Sequence, residues 1–434
     1  MSLQAHIWGD LDVDAQRALL RRPIVRDAVS VRSDVTGIID AIRSGGDKAI
    51  RELTRKFDGV ELDSLRVSEA ELGAATAGLD ANALAAIDLA IANLRRFHEQ
   101  QLPAPISVET MPGVRCDRVS HAIDAVGLYV PAGTAPLPST AVMLAVPAAI
   151  AGCPTRVMCT PPRKDGRADP AVLVAAARAG VTDVYKIGGA QAIAAMAYGT
   201  ESVPKASKIF GPGNAWVTTA KTLVSGDPAG AAIDMPAGPS EVLVIADAEA
   251  SAEFVASDLL SQAEHGIDSQ VMLLTVSADL ARQVAVEIEA QLAQLSRAKI
   301  ARQALEHSRS IIVDSLETAI EISNRYAPEH LILQLADARD VVPAIRNAGS
   351  VFVGAWTPEA VGDYCSGTNH VLPTYGFANA YSGLGVDQFL RQMTVQELTR
   401  DGLAGLGDAV VSLATLEGLD AHAAAVKLRL ASSS

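Results

Sequence analysis

The 434-residue sequence is poor in aromatics, in basic charge and in cysteine, and each shortage removes a class of function. Phe, Tyr and Trp make up 4% of the chain, too few to lay out a stacking surface for single-stranded nucleic acid. Lys and Arg number 36 against 50 Asp and Glu, a formal net charge of −14, whereas a DNA or RNA binder needs a basic footprint. The four cysteines, Cys116, Cys153, Cys159 and Cys365, form no CxxC pair. Four thiols in so long a chain are no disulfide framework, and they read as reduced and structural. The longest apolar run, Ala141 to Gly152, is too short to span a bilayer and contains Pro147. Met1-Ser2-Leu3-Gln4 opens no basic-then-apolar leader. A cytoplasmic chain with neither nucleic-acid nor membrane partner is the expectation. A GxGxxG fingerprint is missing as well, so the usual dinucleotide motif is absent.

What is present is an ordinary α/β composition, 49% hydrophobic and 20% charged, long enough for roughly two to four domains. The first hundred residues read as helical. An amphipathic run from Ser33-Asp34 to Phe57 is interrupted at Gly45-Gly46, and a second helix from Ala81 stops before Pro103. From Asp124 onward, strands alternate with helices at Ala125–Val130, Arg156–Thr160, Asp183–Ile187, Ser240–Ala246, Gln270–Thr275, Ser310–Val313, His330–Leu335 and Ser350–Val353. That alternation predicts βαβ units and parallel sheets. A segment dense in Gly, Pro and Ala between Gly127 and Ser240 reads as an inserted α/β domain. After Gly376 the strand pattern fades into a helical arm that needs another body, such as a second subunit, to cover its apolar face.

Several polar residues stand where chemistry is feasible. Ala248–Gly266 reads as a helix capped by Asp247, on which Val255, Leu259 and Gln262 share a stripe with His265 one turn on. Gln262 and His265 are either a hydrogen-bonded core pair or a metal or substrate site; glutamine is an uncommon zinc ligand. In Arg325-Tyr326-Ala327-Pro328-Glu329-His330, the proline ends a helix and a strand follows at once. Imidazole beside carboxylate suits proton transfer at neutral pH, although neighbours on extended backbone face opposite ways. Thr357 and Pro358 open a short helix, with Asp363 and His370 near a glycine loop at its end, and Asp363 is a plausible carboxylate ligand. Glu417 and His422 flank a short helical stretch. Gly188-Gly189 follows a strand, and Gly211-Pro212-Gly213-Asn214 is a tight turn into a helix, two places where a phosphate could lodge.

Seven ordered blocks resemble the histidinol dehydrogenase family over nearly the whole chain: GLYVPAGTAPLPST (Gly127–Thr140), KIGGAQAIAAMAYGT (Lys186–Thr200), KIFGPGNAWVTTAK (Lys208–Lys221), DMPAGPSEVLVIAD (Asp234–Asp247), LLSQAEH (Leu259–His265), NRYAPEHL (Asn324–Leu331) and SGTNHVLPT (Ser366–Thr374). Ala132 stands where the family commonly has glycine.

The resemblance implies two incomplete Rossmann-like α/β domains, one inserted in the other, with small N- and C-terminal helical elements used in dimerisation. The division it suggests is an arm at 1–25, a catalytic domain at 26–128 and 240–380, an NAD domain at 129–239 and a dimerisation arm at 381–434. It implies oxidation of L-histidinol to L-histidine with two NAD⁺ and one zinc ion per subunit. The zinc ligands would be Gln262, His265, Asp363 and His422, with His330 the base for the hydroxyl proton and Glu329 the group that activates water. Ser240 and Glu417 would complete the substrate pocket, Tyr129, Gln191 and Asn214 would contact NAD, and Glu417 and His422 would cross to the partner in a homodimer with shared sites. A homologous dehydrogenase of another small polyol or amino alcohol, and a zinc hydrolase using Gln262, His265, Asp363 and Glu329, are the rival readings.

Overall fold

The computed structural model describes residues 3–23, 28–132, 135–181, 183–235 and 238–432. Residues 1, 2, 24 and 25 of the expected N-terminal arm, and Gly133, Thr134, Pro236 and Ala237 of the resembling blocks, lie outside them.

In chain order the strands are β1 (Gln4–Ile7), β2 (Ile106–Met111), β3 (Val114–Ala122), β4 (Ala125–Tyr129), β5 (Thr155–Thr160), β6 (Asp183–Lys186) and β7 (Lys208–Phe210). They continue as β8 (Ala232–Ile233), β9 (Glu241–Ala246), β10 (Gln270–Thr275), β11 (Arg309–Ile312), β12 (His330–Gln334), β13 (Ser350–Val353) and β14 (Leu390–Leu398). Two sheets are wholly parallel: β6-β5-β4-β7-β8 and β1-β11-β10-β9-β12-β13. The third, β14-β3-β2, is antiparallel.

Apart from the edge strand β1, the parallel sheets share one connectivity: from an inner strand (β4 or β9) the chain steps twice outward on one side, then crosses back to the strand on the other side (β7 or β12). Helices cover both faces, so the strands are apolar along their length: every residue of β9, β10 and β12 is buried. All eight expected strands form, with ends shifted by a residue at most.

Six strands were not expected. β2 and β14 are almost entirely exposed, which removes the alternation that reveals a half-buried strand. β1, β7 and β8 are four residues or fewer. The arm after Gly376 is therefore not purely helical: β14 precedes the helices Arg400–Leu416 and Asp420–Ala431, which expose Leu413, Leu416 and Leu428. Among the described residues, no single helix is long and apolar enough to cross a membrane.

Ala28–Phe57, kinked at Gly46 (φ 51°), Glu69–Gly78 and Ala81–His98 pack on helices of the five-stranded sheet, and Ala81–His98 also meets the stretch after Tyr364, Asn93 donating to the Cys365 carbonyl at 2.9 Å. The segment between them is tied to β6, Lys186 N–H donating to Leu65 and Val67 N–H to Val184. That sheet begins at Ala125, four residues before the expected boundary. Chain order alone does not say which sheet a helix covers.

Candidate active site

The residues singled out around Glu329 converge on the amino-terminal edge of the six-stranded sheet. The helix Leu316–Tyr326, capped by Ser315, ends with Ala327 in the left-handed region (φ 52°, ψ 68°). Pro328 cannot continue a helix, and the chain passes through Glu329 into β12, whose first residue is His330. The helix carrying Gln262 runs Ala252–Ala263, and its cap is Ser251. Asp247, expected as that cap, instead accepts the N–H groups of Glu249 and Ala336. The short helix Glu359–Tyr364 has Pro358 rather than Thr357 at its cap position, because the Thr357 hydroxyl donates to the Val353 carbonyl.

The backbone of Glu241 organises the pair. Its N–H donates to Glu329 Oε2 at 2.9 Å, and its carbonyl lies 3.0 Å from His330 Nδ1. A carbonyl only accepts, so Nδ1 carries a proton toward it, and Gln262 Nε2 lies 3.2 Å from the same ring nitrogen. Nε2 is buried without a hydrogen-bond partner, 3.7 Å from Asp363 Oδ1. Gln262 is buried; its Nε2 donates to the same Glu241 carbonyl at 3.3 Å and sits 3.4 Å from Glu329 Oε2, while its Oε1 is buried and unpartnered. His265, exposed just beyond the helix, turns Nδ1 to the Ser261 carbonyl at 2.9 Å. Ser240 sits half-buried at the head of β9, its carbonyl accepting from Gln270 N–H.

Two further groups complete the cluster. Glu359, 1% exposed, places a carboxylate with His330 and Asp363 such that their ligand atoms all lie within 4.8 Å of one another. His370 brings a buried, unpartnered Nε2 close enough to lower the Asp363 pKa. The spacing places His370 near Asp363 without giving it a part, and Glu359 is not singled out by the sequence.

Electrostatics follow from burial against crowding. Desolvation pushes Glu329 up to about 8. Glu359 is likewise raised to about 8 by burial. Burial opposes a charge on His330, yet Glu359, Glu329 and Asp363 outweigh it and hold the imidazole up to about 10. Asp363 is also desolvated, but His330, His370 and His265 keep its carboxyl below the usual range. The arrangement is thus an acid-rich pocket with unsatisfied nitrogen and oxygen donors, suited to a cation and to proton exchange.

The NAD-assigned residues lie at the other parallel sheet, beyond the carboxyl ends of its strands, where open α/β sheets bind ligands. Tyr129 ends β4, and its hydroxyl accepts the Gly189 N–H at 3.0 Å. Burial raises that phenol to about 12. Gln191 is buried in the first turn of Gly189–Tyr198. Asn214 is exposed and caps Ala215–Ser225 through the N–H groups of Trp216 and Val217.

Glu417 and His422 are exposed; Glu417 caps the end of Arg400–Leu416 and His422 lies in the first turn of Asp420–Ala431, so the two flank the link between helices and not one short helix. Those helices pack on each other and on β14, and the ligand-atom group described above does not include His422.

Comparison with known proteins identifies the family. A family profile described as histidinol dehydrogenase matches residues 21–430. The histidinol dehydrogenase of Xanthomonas oryzae pv. oryzae is 57% identical over 423 residues, 98% of each chain. That of Aliivibrio fischeri is 54% identical over 98% of this chain and 96% of its own. The crystal structure of histidinol dehydrogenase from Elizabethkingia anophelis superposes with a TM-score of 0.95 at 46% identity, covering 99% of this chain and 98% of that one. With sequence, fold and residue types in agreement over nearly its whole length, the chain belongs to the histidinol dehydrogenase family of oxidoreductases.

Proposed function

We propose that this chain oxidises L-histidinol to L-histidine through histidinaldehyde in a zinc-dependent homodimer of the cytoplasm. The overall balance is alcohol plus two NAD⁺ plus water giving carboxylate, two NADH and three protons. The observation that carries this reading is the placement of His330, whose Nδ1 faces the Glu241 carbonyl and whose Nε2 faces Asp363, beside Glu329, held by the Glu241 N–H.

A cation fits the pocket. Gln262 Oε1, His330 Nε2 and His370 Nε2 are buried without partners around Asp363, and each such atom costs about 1–3 kcal/mol unless a bound group relieves it. Oxygen and imidazole donors suit zinc. Gln262, His265 and Asp363 would hold it, with His422 of the partner subunit, and His265 is already oriented because its Nδ1–H is engaged by Ser261. When bound, zinc would offset the carboxylate charge that holds the proton on His330, freeing Nε2 to act as a base, and would orient the amine and imidazole nitrogens of the substrate.

In the first oxidation, His330 Nε2 takes the hydroxyl proton as hydride departs to the nicotinamide. In the second, Glu329 takes a proton from the water that attacks the aldehyde, and a second hydride leaves. Ser240 and Glu417 of the partner subunit hold the substrate, the latter through its ammonium group. Tyr129, Gln191 and Asn214 line the NAD side. The test is NADH absorbance with purified protein, zinc and L-histidinol: two NADH per substrate supports the reading, and no turnover at any zinc level sinks it.

A further inference from the structure

We propose that Arg22 is a positioning residue for both proton-handling steps, its guanidinium clamping the two chain segments that hold Glu329 and His330; this rests on the function proposed above.

Arg22 follows the N-terminal helix Val13–Leu19, remote in sequence from the site. Its Nε and one terminal nitrogen meet the two carboxylate oxygens of Glu241 at 2.5 and 3.0 Å. The same terminal nitrogen donates to the Tyr326 carbonyl at 2.7 Å and reaches the Ala327 carbonyl at 3.4 Å. The guanidinium carbon lies 3.9 Å from the centre of the Tyr326 ring. Arg22 and Glu241 side chains are 15% and 2% exposed, so the pair is little screened by water. Only a planar fork can satisfy a carboxylate bidentately while stacking on a ring.

What it holds are the two ends of the site. The carboxylate of Glu241, which also accepts the Tyr375 N–H at 2.9 Å, is pinned by Arg22 at both oxygens, and this tethers the residue whose backbone holds Glu329 and faces His330 Nδ1. On the other side, the Tyr326 and Ala327 carbonyls belong to the left-handed turn that aims Pro328, Glu329 and His330. An alanine in that region is disfavoured by about 1–2 kcal/mol and persists because its surroundings hold it. Arg22 touches no reacting atom. It fixes the separation between the Glu241 peptide and the Glu329-His330 turn, where a shift near 1 Å can cost on the order of 100-fold in rate.

The experiment compares wild type, Arg22→Lys and the double variant Arg22→Met/Glu241→Gln, which leaves no buried charge alone if the lysine variant fails to fold. Wild type must first yield two NADH per histidinol; if it does not, the functional reading fails rather than the clamp. With folded dimers quantified by circular dichroism and sedimentation, kcat is measured separately for histidinol and for histidinaldehyde. The expected result is a loss of about 10- to 100-fold in kcat for both substrates, with KM for histidinol within about threefold. In a Glu329→Gln background, Arg22→Lys should lower aldehyde oxidation further by much less than it does in wild type, because the group it positions has already lost its charge. Per-dimer kcat within twofold of wild type, loss confined to one half-reaction, or full additivity with Glu329→Gln would each overturn the clamp.

Discussion

Lys221 and Asp234 form a buried ion pair that closes around both polar groups of Gly211. Lys221 Nζ donates to the Gly211 carbonyl at 2.8 Å, and Asp234 Oδ2 accepts the Gly211 N–H at 2.8 Å. Gly211 itself has φ 121° and lies against the Tyr129 carbonyl, so no side chain fits there. The pair thereby shapes the Gly211-Pro212-Gly213-Asn214 turn at the mouth of the five-stranded sheet. Lys221→Met should cost about 3–5 kcal/mol, because it strands the Asp234 charge, whereas Lys221→Met/Asp234→Asn should cost far less. In both, KM for NAD⁺ should rise while KM for histidinol stays near wild type. Urea unfolding and steady-state kinetics check this, and an unchanged KM for NAD⁺ would detach the turn from the cofactor.

The division of labour proposed for Glu329 and His330 makes a separate prediction. His330→Asn removes the Nε2 lone pair and should depress histidinol oxidation by about 10²- to 10⁴-fold. Glu329→Gln keeps an acceptor for the Glu241 N–H but cannot take a proton. It should impair mainly the oxidation of supplied histidinaldehyde. Rapid-quench measurement of each half-reaction reads the split, and equal losses in both would contradict it.

Much of this was legible in the sequence where burial is two-sided. Runs such as Val242–Ala246 and Leu331–Leu333 are continuous apolar strands because helices cover both faces, and their ends placed Ser240, Glu329 and His330 correctly at the sheet edge. Exposed strands such as β14 carry no such signal, being stabilised by cross-strand pairing with β3. Glu359 is not singled out by the sequence, because only tertiary packing beside Ser261 and His330 makes it a buried member of the site. Arg22 is hidden for the same reason: nothing in its neighbours announces a partner 219 positions away. The roles of Glu417 and His422 came through the family resemblance alone, since this chain leaves both exposed.

A third prediction concerns acid stability. His98 is fully buried, with Nδ1 donating to the Leu94 carbonyl at 2.9 Å, and burial lowers its pKa below the ordinary 6.5. The unfolded chain therefore binds a proton that the folded chain refuses. The stability contributed by neutral His98 is fully present above about pH 6.5 and is lost as pH falls toward the lowered folded value. His98→Gln should be less stable at pH 8, by roughly 1–2 kcal/mol for the lost hydrogen bond. Its urea midpoint should nevertheless fall less than that of wild type between pH 8 and pH 5.5. An unaltered pH slope would show that His98 is not the group that titrates.

The last prediction tests whether the site is shared. If His422 serves the neighbouring chain, a His330→Asn homodimer and a His422→Asn homodimer are each defective at every site. A mixed dimer, however, contains one site built from an intact Glu329-His330 pair and the intact His422 of the partner subunit, and one site carrying both substitutions. Unfolding and refolding an equimolar mixture should therefore restore activity to about a quarter of wild type, since half the dimers are mixed and each has one good site. Zinc content should stay near half of the wild-type value before and after mixing, because each intact His422 completes one site whichever chain it pairs with, so the recovered activity reports the pairing of good halves and not metal uptake. The exposure of Glu417 and His422 on helices whose apolar residues Leu413, Leu416 and Leu428 are uncovered within the single chain is what motivates the mixing. Failure to recover activity, with mixed dimers demonstrated by differently tagged chains, would place His422 outside the catalytic site.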